Sequence, residues 1–224
     1  LLAGGPGSRR KGPDPLLQAV FQGYGVKSPS VAYTGTASDD DKNFFRFISS
    51  SFVEAGADSV THAVIAGKRA DLDKAKEILN SADIVFVSGG DVEYGMKVLH
   101  EKMMTEFFNR LYYGGKPFFG ISAGAIMLAQ WWVRWRDPDK DDTAELFPCL
   151  GYAPVICDTH DEAGGWEELR AALKLAGNGA LGYGLASNSG VKVNPDGTLE
   201  VLGGKVYRYI NRGNRVELAE ELKK

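Results

Sequence analysis

The stretch from Lys116 to Gln130, KPFFGISAGAIMLAQ, constrains this chain more than any other. A short apolar run, Pro117 to Ile121, meets a glycine-rich turn at Ser122, and an apolar helix of small residues continues through Leu128. Gly120, Ser122 and Gly124 form G-x-S-x-G, which on a strand–turn–helix reads as a nucleophile elbow. The turn is sharp, so its backbone must pass close to neighbouring backbone, and glycine permits that. The serine hydroxyl is lifted clear of the sheet, and the first helical N–H groups point at any developing oxyanion. The competing reading is a buried serine at a glycine-rich strand–helix junction. The strand before it and the apolar helix after it favour the functional reading.

Strands and helices alternate along the rest of the chain. Leu1-Leu2-Ala3 reads as the end of a strand, followed by the loop Gly4-Gly5-Pro6-Gly7, which lacks the G-K-[ST] ending of a Walker loop. Pro15 to Tyr24 predicts a short amphipathic helix and Val31 to Thr34 a buried strand. Ser38 is the expected cap of the next helix, with Asp41 three residues on as in a capping box. Phe44, Phe45, Ile48 and Phe52 recur at helical spacing as core residues, and Gly56 stops that helix. Val60 to Ile65 predicts a strand and Asp71 to Leu79 a helix. Ile84 to Val87 is a wholly apolar strand that ends in Ser88-Gly89-Gly90-Asp91. Val92 to Tyr113 reads as one long helix stopped by Gly114-Gly115.

After the elbow, Trp131 to Arg136 alternates like a strand on the rim, and Asp137 follows. Ala153 to Cys157 is a strand leading to Asp158-Thr159-His160, and Trp166 to Leu175 is a helix. From Leu181 to about Ile210, short strands with turns at Asn194-Pro195-Asp196-Gly197 and Gly203-Gly204 predict an antiparallel extension, with Val216 to Leu222 as a closing helix. The fold class expected is α/β: a three-layer sandwich with a mostly parallel central sheet and a late antiparallel hairpin extension, in one domain over residues 1–224. Ligands of such sheets sit at the carboxyl ends of the strands, where Gly4-Gly5, Gly89-Gly90 and Ser122 all fall.

Composition excludes several classes. With 224 residues, 44% hydrophobic, the chain is large enough to bury a full core. A formal charge of −3 gives no electrostatic case for nucleic acid or a membrane surface, and no apolar run is long enough to span a bilayer. Cys149 and Cys157 have no metal-type spacing and read as buried thiols, which suits a cytoplasmic setting. No secretory signal is visible in the chain as it stands, which opens without Met. No metal and no cofactor is expected. The tryptophans after the elbow, taken as exposed, leave room for a homodimer.

Four segments carry a resemblance to a known family. Val87-Ser88-Gly89-Gly90-Asp91, Gly120-Ile121-Ser122-Ala123-Gly124-Ala125, Asp158-Thr159-His160, and Leu199-Glu200-Val201-Leu202-Gly203-Gly204 with Val206-Tyr207 resemble the S51 serine peptidases. This is the dipeptidase E and cyanophycinase group, on the class I glutamine-amidotransferase-like fold. The resemblance implies Ser122 as nucleophile, His160 as its base, and the N–H groups of Gly90 and Ala123 as oxyanion hole. It also implies a small peptide as substrate. The chain agrees chemically, since serine needs an adjacent base. Of the three histidines, His62 falls in a strand pattern and His100 within a helix, so only His160 follows a strand beside carboxylates.

The sequence departs from the family in two places. The acid of its G-I-D-E type segment has no counterpart in Gly184-Leu185-Ala186-Ser187-Asn188. The basic residues that often follow the histidine are replaced by Asp161-Glu162-Ala163-Gly164-Gly165. A histidine base needs its tautomer held, usually by a carboxylate. Asp137, Asp158, Asp161 and Glu162 are the candidates, and Asp137 is the expected third member because some dipeptidase E relatives place an acid at that spacing. With no carboxylate partner, a backbone carbonyl, Ser187 or Asn188 would hold the ring. The expected function is a serine-type hydrolase of small peptides. The alternatives are a catalytically impaired binding or regulatory protein on the same fold and an α/β-hydrolase-type esterase.

Overall fold

The apolar runs before the glycine turns assemble into the middle of a seven-stranded sheet. The computed structural model describes residues 2–5, 12–194, 196–213 and 215–223. Pro6 and Gly7 of the first glycine loop and Pro195 of the late turn therefore lie outside the described residues. Strands β1 (Leu2–Ala3), β2 (Ser30–Thr34), β3 (Ser59–His62), β4 (Ile84–Val87) and β5 (Phe118–Ile121) run parallel in the order β1-β5-β4-β2-β3. Val87 stands opposite Gly120 and Ala3 opposite Ile121, so the loops after β1, β4 and β5 leave the sheet side by side.

Period-two alternation explains how this sheet is covered. Ile84 and Phe86 point to one face, where Val20 and Phe21 of α1 (Pro15–Gly23) and Ile48 and Phe52 of α2 (Lys42–Ala55) close over them. Val85 and Val87 point to the other. There they meet α3 (Leu72–Ser81), α4 (Val92–Glu101), α5 (Thr105–Tyr113) and α6 (Ala123–Leu128) through Leu79, Leu99, Phe108 and Met127. Fully buried rings such as Phe52 and Phe86 each contribute about 1.5–3 kcal/mol by leaving water. The parallel sheet flanked by helices is the expected α/β architecture.

A second sheet was not legible in the sequence. Strands β6 (Trp131–Trp135), β7 (Ala144–Pro148), β8 (Ile156–Thr159), β9 (Leu181–Leu185), β12 (Val206–Asn211) and β13 (Val216–Leu222) form six strands in the order β13-β12-β9-β8-β6-β7. Helix α7 (Glu167–Ala176) packs Leu169 and Leu173 onto it. The expected late hairpin exists as β10 (Ser189–Val193) and β11 (Leu199–Gly203), which add antiparallel to β1. The other late strands belong to the second sheet. Trp131, Trp132 and Trp135 are half-buried there rather than exposed. Cys149 and Cys157 are both free thiols.

Three local expectations are corrected. The segment Val216–Leu222 is a strand, not a helix, although its glutamates favour helix. It ladders antiparallel onto β12, and the cross-strand ion pairs Arg208–Glu220 at 2.8 Å and Lys205–Glu221 at 3.0 Å accompany that pairing. The long helix is two helices: Met103 takes a left-handed backbone (φ 53°), which turns the chain and buries Met104 while Met103 stays 82% exposed. The cap of α2 is Asp41, whose Oδ1 accepts from Phe44 N at 2.6 Å, whereas Ser38 ends a short 3-10 turn.

The turn at Ser122 depends on two glycines. A Cβ on Gly124 would lie 2.0 Å from the Val87 carbonyl oxygen, and one on Gly120 would lie 2.3 Å from the carbonyl of Gly124. Both clashes are with backbone and cannot be relieved by a rotamer. Gly124→Ala is therefore expected to cost more than about 3 kcal/mol or to prevent folding. Gly67→Ala, where nothing lies closer than 3.9 Å, should be close to neutral. Denaturant midpoints of the two variants check this, and equal stability would refute the close-packing account.

Candidate active site

Ser122 follows β5 in a backbone conformation rare for a side-chain-bearing residue, φ 56° and ψ −129°. Such strain costs on the order of 1–3 kcal/mol and persists only where the surroundings enforce it. They do so here. Ser122 N donates to Ala3 O at 3.0 Å, and its carbonyl accepts from Ala125 N at 2.8 Å. His160 follows β8, in the second sheet, and also has positive φ, 45°. Its N–H donates to Leu185 O at 2.8 Å. Helix α6 packs against β5 and β1 of the first sheet and against β8 of the second. This junction brings the two side chains together: Ser122 Oγ and His160 Nε2 are 2.7 Å apart. With the hydroxyl donating, His160 is the neutral tautomer protonated on Nδ1.

Gly89 and Gly90 border the serine. Ser122 Cβ would be 3.1 Å from a Cβ on Gly89, and a Cβ on Gly90 would strike the Ala37 carbonyl at 2.0 Å. The N–H groups of Gly90 and Ala123 donate to no acceptor among the described residues. The Ala37 carbonyl accepts from Asp91 N at 2.8 Å and so fixes the loop that carries Gly90. The loop holding Ala37 is pinned in turn by Asp40. Its carboxylate accepts from Ile65 N at 2.7 Å, Ala66 N at 2.6 Å, Gly35 N at 3.2 Å and His62 Nε2 at 3.1 Å. Burial pushes the Asp40 carboxyl up, but the bonds from His62, Ala66 and Ile65 outweigh it and leave the group below its ordinary value. Asp40 is not marked by any local pattern, because three of its four partners lie on β3 and the loop after it.

The carboxylate expected on His160 is not brought there. Asp137 is half-buried in the turn after β6, where its Oδ2 pairs with Lys140 at 2.7 Å and its Oδ1 accepts from Asp139 N at 3.2 Å. These local partners hold it in its own turn. Asp161 accepts from Glu167 N and Glu162 from Ser187 N, at 3.1 and 2.6 Å. Asp158 Oδ1 accepts from Thr159 N at 2.7 Å. Among the described residues, no side chain hydrogen-bonds to Nδ1 of His160.

Two clefts meet at the Ser122–His160 pair. One, of about 450 Å³, is lined by Gly90, Ala123, Trp132, Asp158 and Glu168, together with Asp91, Asp161 and Glu167. The other, of about 440 Å³, is lined by Gly5, Phe44, Phe47, Ile48, Gly89 and Ser187. In the first, burial pushes the Asp158 carboxyl up to about 7; bonds from the backbone N–H groups of Thr159 and Leu169 oppose the rise, and the charges of Glu168 and Asp161 add to it. Burial also raises Glu168, against the bond from Trp132 Nε1 at 2.7 Å.

Comparison with known proteins decides the family. A profile described as peptidase family S51 matches residues 1–200. The chain belongs to peptidase family S51. Peptidase E of Pasteurella multocida (strain Pm70) is 26% identical over 140 residues, which cover 60% of this chain and 56% of the relative. The chain thus matches little more than half the length of that relative. A crystal structure of a peptidase from an acI-B1 actinobacterium superposes with a TM-score of 0.70 at 17% identity, covering 100% of this chain and 95% of the other. A putative peptidase E from Listeria monocytogenes EGD-e superposes with a TM-score of 0.58 at 15% identity, covering 99% and 97%. Both are similar to this S51 family member in fold. No helix among the described residues is long and apolar enough to cross a membrane.

The raised Asp158 carboxyl has a measurable consequence. Its folded value lies above its unfolded one, so the group favours the folded state below about pH 4. That contribution is lost as pH rises through about 7. Asp158→Asn should therefore stabilise the protein at pH 8, by an amount on the order of 1–4 kcal/mol, and gain little at pH 4. Thermal melts at both pH values test it; an equal gain at both would refute a buried, titrating carboxyl.

Proposed function

We propose that this S51 family member hydrolyses peptide bonds of small peptides through an acyl-enzyme on Ser122. The observation that carries the proposal is the 2.7 Å contact between Ser122 Oγ and His160 Nε2, set in a strained strand–helix turn. His160 Nε2 takes the hydroxyl proton as Oγ attacks the scissile carbonyl. The carbonyl oxygen becomes an oxyanion facing the unengaged N–H groups of Gly90 and Ala123. As the C–N bond breaks, His160 returns the proton to the leaving amine. Water then repeats the sequence in reverse roles, releasing the acid and restoring Ser122. Each cleft falls in the range of roughly 300–1,000 Å³ that suits small ligands. Short peptides, not folded proteins, are the substrates this geometry supports.

A second reading, a binding protein with impaired turnover, is favoured by one observation. No carboxylate among the described residues holds the His160 ring. In a serine triad, spoiling the acid's hold on the tautomer lowers kcat by about 10⁴, which sets the scale of the expected loss.

Ser122→Ala and His160→Ala should each abolish dipeptide hydrolysis to a similar extent, and the double variant should be no worse, because the pair acts as a unit. A fluorophosphonate probe should label wild type at Ser122 and leave Ser122→Ala unlabelled. Asp137→Asn should leave the labelling rate within about twofold, as expected of a surface ion pair. Labelling that survives Ser122→Ala, or casein cleavage without dipeptide cleavage, would overturn the proposal.

A further inference from the structure

The Gly90 N–H can face an oxyanion only while the loop that carries it is held. Residues 88–91 form that loop, between β4 and α4, and the segment 35–41 after β2 supports it. Ser88 N donates to Thr34 O at 3.0 Å, and Asp91 N donates to Ala37 O at 2.8 Å. A Cβ on Gly90 would lie 2.0 Å from that same Ala37 oxygen. Ser38 Oγ is 3.4 Å from Ser88 Oγ, which donates to Gly89 O at 3.2 Å. On α4, Tyr94 Oη donates to Asp39 Oδ1 at 2.8 Å, and a Cβ on Gly95 would lie 3.0 Å from Ala37 Cα. The position of Ala37 thus sets where the Gly90 N–H stands.

Residues 35–41 do not hold this shape by local preference. Asp39 and Asp40 both have left-handed backbones, φ 52° and 53°. Two side-chain-bearing residues in succession there are strained, and such strain persists only where the surroundings enforce it. The enforcing group is the Asp40 carboxylate, 8% exposed. It accepts from Gly35 N in its own turn, and from His62 Nε2, Ile65 N and Ala66 N on β3 and the loop beyond. Its printed partners are all donors, so an asparagine would turn an N–H₂ toward one of them and lose that bond. His62 is fixed in turn, stacked on Phe45 with ring centroids 4.5 Å apart and edge-on to Tyr33 at 5.1 Å. Neither Asp40 nor His62 lines the clefts beside Ser122, so an effect of either on the chemistry passes through Ala37.

Resting on the peptidase reading above, we propose that Asp40 is a positioning residue for the oxyanion step. Through Ala37 it holds the Gly90 N–H where the developing oxyanion meets it, and His62 completes the clasp. Oxyanion donors act where charge develops, so their displacement lowers kcat and leaves substrate binding largely intact. Removing one such donor costs about 10²–10³ in kcat, and displacing it costs a part of that. Asp40 is thus a carboxylate that serves the serine side of the reaction from the first sheet, separate from any group that orients His160.

The test uses full-length Asp40→Asn and His62→Phe, each checked for folding by circular dichroism and assayed well below its melting temperature. His62→Phe keeps a ring against Phe45 and removes only one donor, so it carries the test where Asp40→Asn fails to fold. Asp40→Asn should lower kcat on a small peptide about tenfold or more with KM within about twofold, and His62→Phe should shift both in the same sense by less. Affinity for a peptide boronic acid, whose tetrahedral adduct places an oxygen at the oxyanion donors, should fall in parallel with kcat. Asp71→Ala, which removes the cap of α3 remote from this loop, should leave kcat and boronate affinity unchanged. A second readout needs no turnover. In ¹⁵N-labelled Asp40→Asn, exchange of the Asp91 amide should speed up about tenfold or more relative to wild type, because its bond to Ala37 O loosens.

Unchanged kcat in the folded variants, a rise in KM alone, or an equal loss of kcat in folded Asp71→Ala would overturn the inference. Turnover by wild type reports separately on the peptidase reading. Where wild type hydrolyses no peptide, that reading fails and amide exchange decides the clasp: lost protection of Asp91 supports it, and retained protection overturns it.

Discussion

The close approach between the start of α6 and the end of β4 is the contact on which the rest of this structure depends. Gly124 lies so near the Val87 carbonyl that no side chain fits, and Gly120 lies equally near the carbonyl of Gly124. With both glycines in place, the chain reverses within one residue, and that residue is Ser122. The strain at Ser122 is tolerated because β1, β4 and α6 fix the backbone on every side. The serine is therefore exposed to the cleft by packing, not by flexibility.

The same helix joins the two sheets. Because α6 touches β5 on one side and β8 on the other, the end of the first sheet faces the end of the second. The Ser122–His160 hydrogen bond crosses that boundary. A chain of supports runs outward from it: Gly90 rests on Ala37, and Ala37 sits in a loop clasped by Asp40 to Ile65, Ala66 and His62. A buried carboxylate with four donors is well satisfied, so this support is rigid. Asp158, whose carboxyl burial pushes up to about 7, is the contrasting case in the same molecule. Bonds to the first carboxylate outweigh the cost of its burial; at the second, which lines the cleft, burial wins.

Electrostatics then divides the site. On one side of the pair stand carboxylates whose neighbouring arginine is already engaged, and on the other stand phenylalanines and glycine backbone. The acidic side includes Asp158, Asp161, Glu167 and Glu168, and the Ser122–His160 pair lies where the two sides meet.

The sequence by itself determined the central parallel sheet and the turn at Ser122. Apolar runs and glycine spacing are local signals, and each survives without knowledge of the partner strand, whereas the approach of His160 to Ser122, implied by the family resemblance, is made by the junction of the two sheets at α6. Only tertiary structure decided the rest. Val216–Leu222 is a strand because its backbone ladders onto β12 and Val216 packs into the core beneath α7, although its local propensity favours helix. The helix break at Met103 has no glycine or proline to announce it and follows from the burial of Met104. Asp137 stands at a plausible spacing yet is held by Lys140, its neighbour in the same turn. Asp40 and Asp158 look alike in the sequence, and their opposite states depend on whether the donors the fold brings to each outweigh the cost of its burial. Spacing along a chain specifies local geometry, while the partners of a buried charge are set by which surfaces the fold brings together.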